Sequence, residues 1–391
     1  MAEAQSGRNA PVPSVLMVSS GFYPTLGGAE KQALELSAAL AARGVQVRVA
    51  TRRLPGLAAF EQVRGIAIER LWCAGSGLLN ATSFLLSLWS YLVTRSGSYG
   101  VIHVHLAGSP ATAAALAGRL LGKRVFIKLG GGKGIGELAA SSKSLSGRLK
   151  LLALRRLRPQ FVAVARELAE ESRQYLGTVP VHVLPNGVDT RAYQPVDAAR
   201  KLELRAALGW PSAGLGFVYA GRLSPEKQLP RFLEDWLDVA KKMDAKAFLA
   251  FVGDGVEWAV LKEAVTRLRA SDRVFLHAAV QDVARVYGAA DVFVLPSISE
   301  GLSNALLEAM ASGLGVLGSR VGGTAEAVTE SQNGFLFDPN DDEDIKRQAR
   351  KFFENPTLSA RLGIASRKTA VERYAMDKVA AAWENLYRYG L

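Results

Sequence analysis

Cysteine is nearly missing from this chain: Cys73 is the only one in 391 residues. One thiol cannot close an internal disulfide, so a cystine-stapled scaffold is excluded and a reducing, cytoplasmic compartment is the expectation. Long apolar runs are missing too. The most apolar stretch, Leu78–Val93, is broken by Asn80, Thr82, Ser83, Ser87 and Ser90. A bilayer span needs about 20 mostly apolar residues, so a buried helix is expected there. Met1–Ser14 is polar and lacks an apolar core, and no signal peptide is expected. No Gly-x4-Gly-Lys-Ser/Thr phosphate loop occurs. Acidic residues are scarce in one half only. Residues 1–190 hold 22 Lys/Arg against 10 Asp/Glu, a net of +12, whereas residues 191–391 hold 26 of each. Such asymmetry suits a first half that faces a membrane surface, a phosphorylated substrate or nucleic acid, or one made basic for solubility.

What is present is a regular alternation. Strand-like Val15–Ser19, Val45–Thr51, Val101–His105, Val125–Leu129, Phe161–Ala165 and Val181–Leu184 are separated by longer helical patterns such as Gly28–Arg43. Continuous β-branched strands of this kind suit a parallel sheet covered on both faces. Pro185-Asn186-Gly187-Val188-Asp189 then reads as a turn. Beyond it the pattern restarts with Gly216–Ala220, Ala247–Val252, Val274–Leu276, Val292–Leu295 and Gly315–Leu317. The expected fold is α/β: two Rossmann-like, doubly wound parallel-sheet domains, residues 1–189 and 190–374, with an interdomain cleft. The amphipathic stretch Met376–Tyr389 is expected to close the second domain or cross back to the first. Ligands of such sheets bind beyond the carboxyl ends of the strands.

Two segments of the second half have the chemistry for an anionic ligand. In Pro296–Gly313 a buried strand ends at Leu295, a loop carries Glu300, and a helix begins near Ser303 or Asn304. Either residue is a good N-cap, and a helix N-terminus favours phosphate. Glu308 lies one turn inside that helix, within reach of two vicinal hydroxyls such as those of a ribose. Read singly, Glu300 is a solvated loop residue and Glu308 a helix-dipole partner. The other segment is Tyr219-Ala-Gly221-Arg222-Leu-Ser-Pro-Glu226-Lys227. Gly221 lets backbone approach a ligand, and Arg222 and Lys227 supply two cations that together neutralise a diphosphate.

Gly221-Arg222-Leu-x-x-Glu-Lys227, Val252-Gly253-Asp254-Gly255, Tyr287-Gly-Ala-Ala-Asp291-Val-Phe-Val-Leu-Pro-Ser297 and Glu300-x7-Glu308 follow one another in that order. Pro24-Thr-Leu-Gly27-Gly28-Ala-Glu-Lys31, His103-Val-His105 and Leu184-Pro-Asn186-Gly187-Val-Asp189 precede them. Over about residues 14–389 this series resembles the family 4 glycosyltransferases, retaining enzymes of GT-B fold. The resemblance implies hexosyl transfer from a nucleotide sugar, UDP first and GDP second, to a saccharide, lipid-linked or other hydroxyl acceptor, with no cofactor and no obligatory metal. It gives Arg222 and Lys227 the donor diphosphate, Glu300 the donor sugar and Glu308 the ribose. It gives Gly253 and the Ala279–Val280 segment the base pocket, and Leu302, Ser303 and Asn304 backbone contacts to phosphate and sugar. Gly27 and Gly28 form the first-domain loop over the phosphates, and His105, ahead of His103, is the active-site histidine. The family often has a Thr-x-His after the following strand; here stands Phe126-Ile-Lys128-Leu-Gly130-Gly-Gly-Lys133-Gly134, whose lysines suit an anionic acceptor.

Asp341–Asp344 reads as a helix N-terminus and not as a metal site. Gly134-Ile-Gly136-Glu-Leu-Ala139 fits a dinucleotide fingerprint formally, yet no acid follows about 20 positions on. Two rivals stand beside transfer. One is a sugar-nucleotide epimerase of the same two-domain form. The other is a non-enzymatic basic protein that binds membrane or nucleic acid, supported by the Leu- and Arg-rich stretch 143–158. That stretch lacks stacking aromatics, which disfavours nucleic acid; peripheral attachment to an anionic membrane is compatible with an enzyme.

Overall fold

The computed structural model describes residues 12–25, 27–355 and 357–390, so residues 1–11 of the Met1–Ser14 segment lie outside the described residues. The chain forms two units. One runs to Gly187 and resumes at Met376; the other is Val188–Ala375. The divide falls two residues ahead of the Asp189 break expected from sequence, and the hydrogen bonds say why. The N–H of Gly187 donates to Gln32 Oε1 (3.1 Å) and Gln32 Nε2 donates to the Gly187 carbonyl (2.7 Å), tying that residue to the first unit. The next N–H, of Val188, donates to the Tyr374 carbonyl of the second (2.8 Å).

In the first unit the strands are β1 (Val15–Ser19), β2 (Val47–Arg52), β3 (Phe60–Val63), β4 (Ile66–Leu71), β5 (Val101–His105), β6 (Arg124–Leu129), β7 (Gln160–Ala163) and β8 (Val181–Val183). They form one sheet in the order β3-β4-β2-β1-β5-β6-β7-β8, parallel except for β3 against β4. That hairpin escaped the sequence reading. Its turn, Arg64-Gly65, has φ of 51° and 80°, the paired positive values of a two-residue hairpin connection. The helices are α1 (Gly28–Ala42), α2 (Gly77–Thr94), α3 (Ser109–Leu121), α4 (Glu137–Ser142), α5 (Leu145–Leu157) and α6 (Arg166–Leu176). From β1 the chain winds one way to β2 and the other way from β5 to β8. Right-handed crossovers therefore place α1 on one face and α3, α5 and α6 on the opposite one. Helix α2 lies beside α3, and α3 beside α5.

Helix α2 corrects the expectation of a buried helix over Leu78–Val93. Ser83, Phe84, Leu88, Tyr91 and Leu92 are buried, but Leu78, Leu79, Leu86 and Val93 are exposed. The helix carries no charged residue on any face, and as an outer-layer helix it buries only the face that meets the rest of the unit.

In the second unit, α7 (Ala198–Ala207) precedes β9 (Leu215–Ala220), and α8 (Leu229–Lys242), β10 (Ala247–Val252), α9 (Trp258–Arg267), β11 (Val274–His277) and α10 (Val283–Ala289) follow. Then come β12 (Val292–Leu295), α11 (Asn304–Ala311), β13 (Gly315–Ser319), α12 (Gly322–Ala327), β14 (Gly334–Phe337), α13 (Asp342–Glu354) and α14 (Leu358–Thr369). The six strands are all parallel, in the order β11-β10-β9-β12-β13-β14. Asp341 caps α13, its carboxylate accepting from the N–H groups of Glu343 and Asp344. The last helix, α15 (Met376–Tyr389), belongs to the first unit. Its Trp383, Leu386 and Tyr387 share a core with Leu36 and Leu40 of α1, and Arg43 Nε donates to Glu384 Oε2 at 2.7 Å.

Candidate functional site

The strand order of the second unit reverses at β9, which has β10 on one side and β12 on the other. A doubly wound sheet splays its connections apart at such a point and opens a crevice beyond the strand ends. The β9 end leads into Gly221-Arg222 and the β12 end into the Ser297–Ser303 loop. These two loops are hydrogen-bonded to each other: the Ile298 N–H donates to the Glu226 carbonyl at 2.9 Å. Lys227 closes a one-turn helix, Pro225–Lys227, and its ammonium pairs with the Glu300 carboxylate. Ser297 Oγ donates to the same carboxylate oxygen at 3.1 Å. A cation and an acid 73 residues apart are thus fixed at one sheet edge, both largely buried.

Glycine makes the turns possible. Gly221, Gly253 and Gly255 have φ of 151°, 154° and 156°, a region L side chains rarely enter. A Cβ on Gly253 would lie 1.8 Å from the Gly221 carbonyl oxygen, and one on Gly255 2.1 Å from that of Leu223. Both glycines therefore serve the stacking of the β9 and β10 turns. Arg222 is exposed, and its carbonyl accepts the Tyr219 hydroxyl at 2.7 Å. Burial, and after it the charge of Glu300, pushes the Tyr219 phenol well up, keeping it a donor. Beside the β10 turn, the Ala279 N–H donates to Asp254 Oδ1 (3.3 Å) and Val280 is exposed.

Ser303 caps α11, accepting the Leu306 N–H at 3.3 Å, so the helix N-terminus starts at the same edge. Glu308 is buried inside α11 and accepts the Tyr287 hydroxyl at 3.3 Å. Burial first, and then Glu308, raises the Tyr287 phenol well above its ordinary value. Gly221, Arg222, Lys227, Glu300, Leu302, Ser303 and Asn304 thus belong to two adjoining loops and the tip of one helix. Glu308 lies one turn deeper, and Gly253 and Val280 belong to the neighbouring turns.

Sequence reasoning passed over three contributors. The pair Gly322-Gly323 supports the Glu300 loop: a Cβ on Gly322 would lie 1.9 Å from the Glu300 carbonyl, and the Gly323 N–H donates to the Gly301 carbonyl at 2.5 Å. A Gly-Gly pair three residues beyond a strand, opening a helix, was the available signal. Tyr219 and Tyr287 carried none, because their partners are distant in sequence. Asp291 is structural: it accepts from Arg205 Nη2 (2.6 Å), Lys201 Nζ (2.7 Å) and the Gly216 N–H (2.7 Å).

The first unit has its own switch point, between β1 and β5. The β1 connection ends in Gly27, which caps α1 from extended backbone, and Gly28, its first residue. His103 and His105 lie on one face of β5 with rings stacked at 4.4 Å. His103 is a core residue: Nδ1 meets the Tyr387 hydroxyl at 2.5 Å and the ring stacks on Trp383 at 4.2 Å. His105, at the strand end, has a buried Nε2 with no hydrogen-bond partner among the described residues. Its register neighbour on β6 is Lys128. Lys128 is buried, and burial alone pulls its ammonium down to about 8. Burial and then the Lys128 charge hold His105 neutral, well below the usual imidazole range.

Two family models match the chain: one described as "Glycosyl transferases group 1" over residues 200–369, and one described as "Glycosyltransferase Family 4" over residues 26–192. The chain is 25% identical over 376 residues to N-acetyl-alpha-D-glucosaminyl L-malate synthase of Bacillus anthracis, covering 95% of this chain and 96% of that protein. It is 27% identical over 286 residues to the UDP-Gal:alpha-D-GlcNAc-diphosphoundecaprenol alpha-1,3-galactosyltransferase of Escherichia coli, covering 72% of each. With other relatives the match spans about a third to a half of their length. Among solved structures, Anabaena Alr3699/HepE in complex with UDP and glucose superimposes with a TM-score of 0.78 at 18% identity, over 96% of this chain and 100% of that one.

Proposed function

This chain belongs to the family 4 glycosyltransferases of GT-B fold, and from that premise we propose that it moves a hexosyl group from a UDP-sugar to a hydroxyl acceptor with retention at the anomeric carbon. One observation carries the reading: Arg222, Lys227 and the α11 N-terminus share the carboxyl edge of one sheet at its switch point. Breaking the sugar–phosphate bond leaves positive charge at the anomeric carbon and negative charge on the departing diphosphate. Fixed cations and helix N–H groups aimed at that diphosphate stabilise the transition state without reorganising. The acceptor oxygen bonds to the anomeric carbon on the face the phosphate leaves, and its proton passes to the departing phosphate oxygen.

In this reading Glu308 binds the ribose, Glu300 the sugar, and no metal is required. His105 faces the donor sugar as a neutral hydrogen-bonding group, and Gly27 and Gly28 approach the phosphates. UDP is supported by the names of the Escherichia coli relative and the Anabaena complex. The acceptor carries an anionic group that faces Lys128, since a buried cation without a counter-charge is otherwise costly. A saccharide phosphate and a lipid-linked diphosphate saccharide both satisfy this. The enzyme works in the cytoplasm. Calorimetry against UDP-, GDP- and ADP-sugars in EDTA tests the donor reading: UDP-sugars should bind alone or most tightly. Heat only with GDP- or ADP-sugars, or only after a divalent cation is added, would refute that assignment.

A further inference from the structure

We infer that the outer face of α2, α3 and α5 docks on an anionic lipid bilayer. Helix α2 has no charged residue in its 18 residues and exposes Leu79, Leu86 and Val93 at seven-residue spacing, with Leu78 beside them (80% exposed). Next to it, α3 exposes Leu116 and Leu120, and next again α5 exposes Leu145 (77%), Leu149 and Leu152, one stripe at i, i+4, i+7. Exposed leucines scattered singly are ordinary; three adjacent helices that each expose a leucine stripe are not.

Charge identifies the occupant. From Leu71 to Arg166 the sequence holds thirteen Lys/Arg and one acid, Glu137. Burial raises the Glu137 carboxyl, and its Oε2 is enclosed with no hydrogen-bond partner among the described residues, so it does not neutralise the outer face. Arg119 of α3 and Arg148, Arg155 and Arg156 of α5 are exposed beside the leucines. A leucine face rimmed by cations matches the acyl boundary and headgroups of an anionic bilayer together. A second copy of the chain would bring like charges together, and nucleic acid gains nothing from leucine. The surface is independent of the donor-site reading.

Flotation of the full chain tests it, with vesicles of phosphatidylcholine alone or with about 30% phosphatidylglycerol. Wild type should partition at least about tenfold more strongly to the anionic vesicles. R148E/R155E/R156E should lose at least about tenfold, since each cation near such a surface is worth roughly fivefold. L86E/L149E should lose as much at low salt and at high. Should L86E/L149E fold poorly, an environment-sensitive dye on Leu86→Cys in a Cys73→Ser background replaces it, blue-shifting with anionic vesicles only. Equal partition to both vesicles, leucine variants that float like wild type, or a dye that does not shift would overturn the proposal. So would a dimer dissolved by L86E/L149E in the absence of flotation.

Discussion

Lys128→Met should stabilise this protein at neutral pH. The side chain ends in a charge at a site 5% exposed, where burial alone takes the ammonium from its ordinary 10.5 to about 8. At about 1.36 kcal/mol per pH unit, the folded state forgoes about 3 kcal/mol at pH 7 relative to a residue with no charge to bury. The sign follows from proton linkage. Between about pH 8 and 10.5 the unfolded chain binds the proton and the folded chain does not, so wild-type stability gains with rising pH in that window. Below pH 8 the full penalty is present. Methionine has a similar length and no charge, so its advantage is greatest at pH 7 and fades by about pH 10.5. For a unit near 200 residues, 3 kcal/mol corresponds to roughly 6–12 °C in melting temperature. Calorimetric scans of both proteins at pH 7 and pH 10 read this difference; His103 and His105, which feel the Lys128 charge, are held below this window first by burial. A variant that melts lower than wild type at pH 7, or by the same margin at both pH values, would refute the reasoning. Turnover should move the opposite way, because the proposed anionic acceptor loses its counter-charge.

Arg222→Ala should lower turnover by about 10²–10³-fold while leaving the melting temperature unchanged, since the side chain is exposed; near-wild-type turnover would remove Arg222 from catalysis. Gly253→Ala drives a Cβ to 1.8 Å from the Gly221 carbonyl at a φ of 154°, and urea unfolding should show a loss of at least about 2 kcal/mol. An alanine variant as stable as wild type would mean that the two turns do not stack as described. Tyr387→Phe leaves His103 Nδ1 buried without its hydroxyl partner and should cost about 1–3 kcal/mol. An unchanged melting curve would count against the tie between β5 and α15.

Local patterning carried far. Val15–Ser19, Val101–His105, Ala247–Val252 and Val292–Leu295 are strands with the bounds read from sequence, because strands buried on both faces are continuous apolar runs. Gly221 was legible as a site of close backbone approach, and its carbonyl does lie against the backbone of Gly253; the place of Gly253 came only from the family resemblance. Where a side chain's role depends on a partner far along the chain, reading failed. Leu78–Val93 seemed a buried helix because composition does not reveal which layer a helix occupies. From sequence, His105 is preferred to His103 by family resemblance alone; the physical difference between them is Tyr387, 284 residues beyond His103, which engages His103 in the core. The strands β3 and β4 escaped because they alternate between more and less buried residues and lack the continuous apolar run that marks the others.

The sequence by itself determined two αβ series, the turn between them, the asymmetry of charge and the order of the family motifs, all written in neighbours a few residues apart. Only the tertiary structure decided that Lys227 meets Glu300, that Tyr287 holds Glu308, that Lys128 is buried beside His105 and that the leucines of α2 lie outside. Each depends on which strands become neighbours and which face a crossover covers. Sheet order is set by long-range packing, and local patterning holds no record of it.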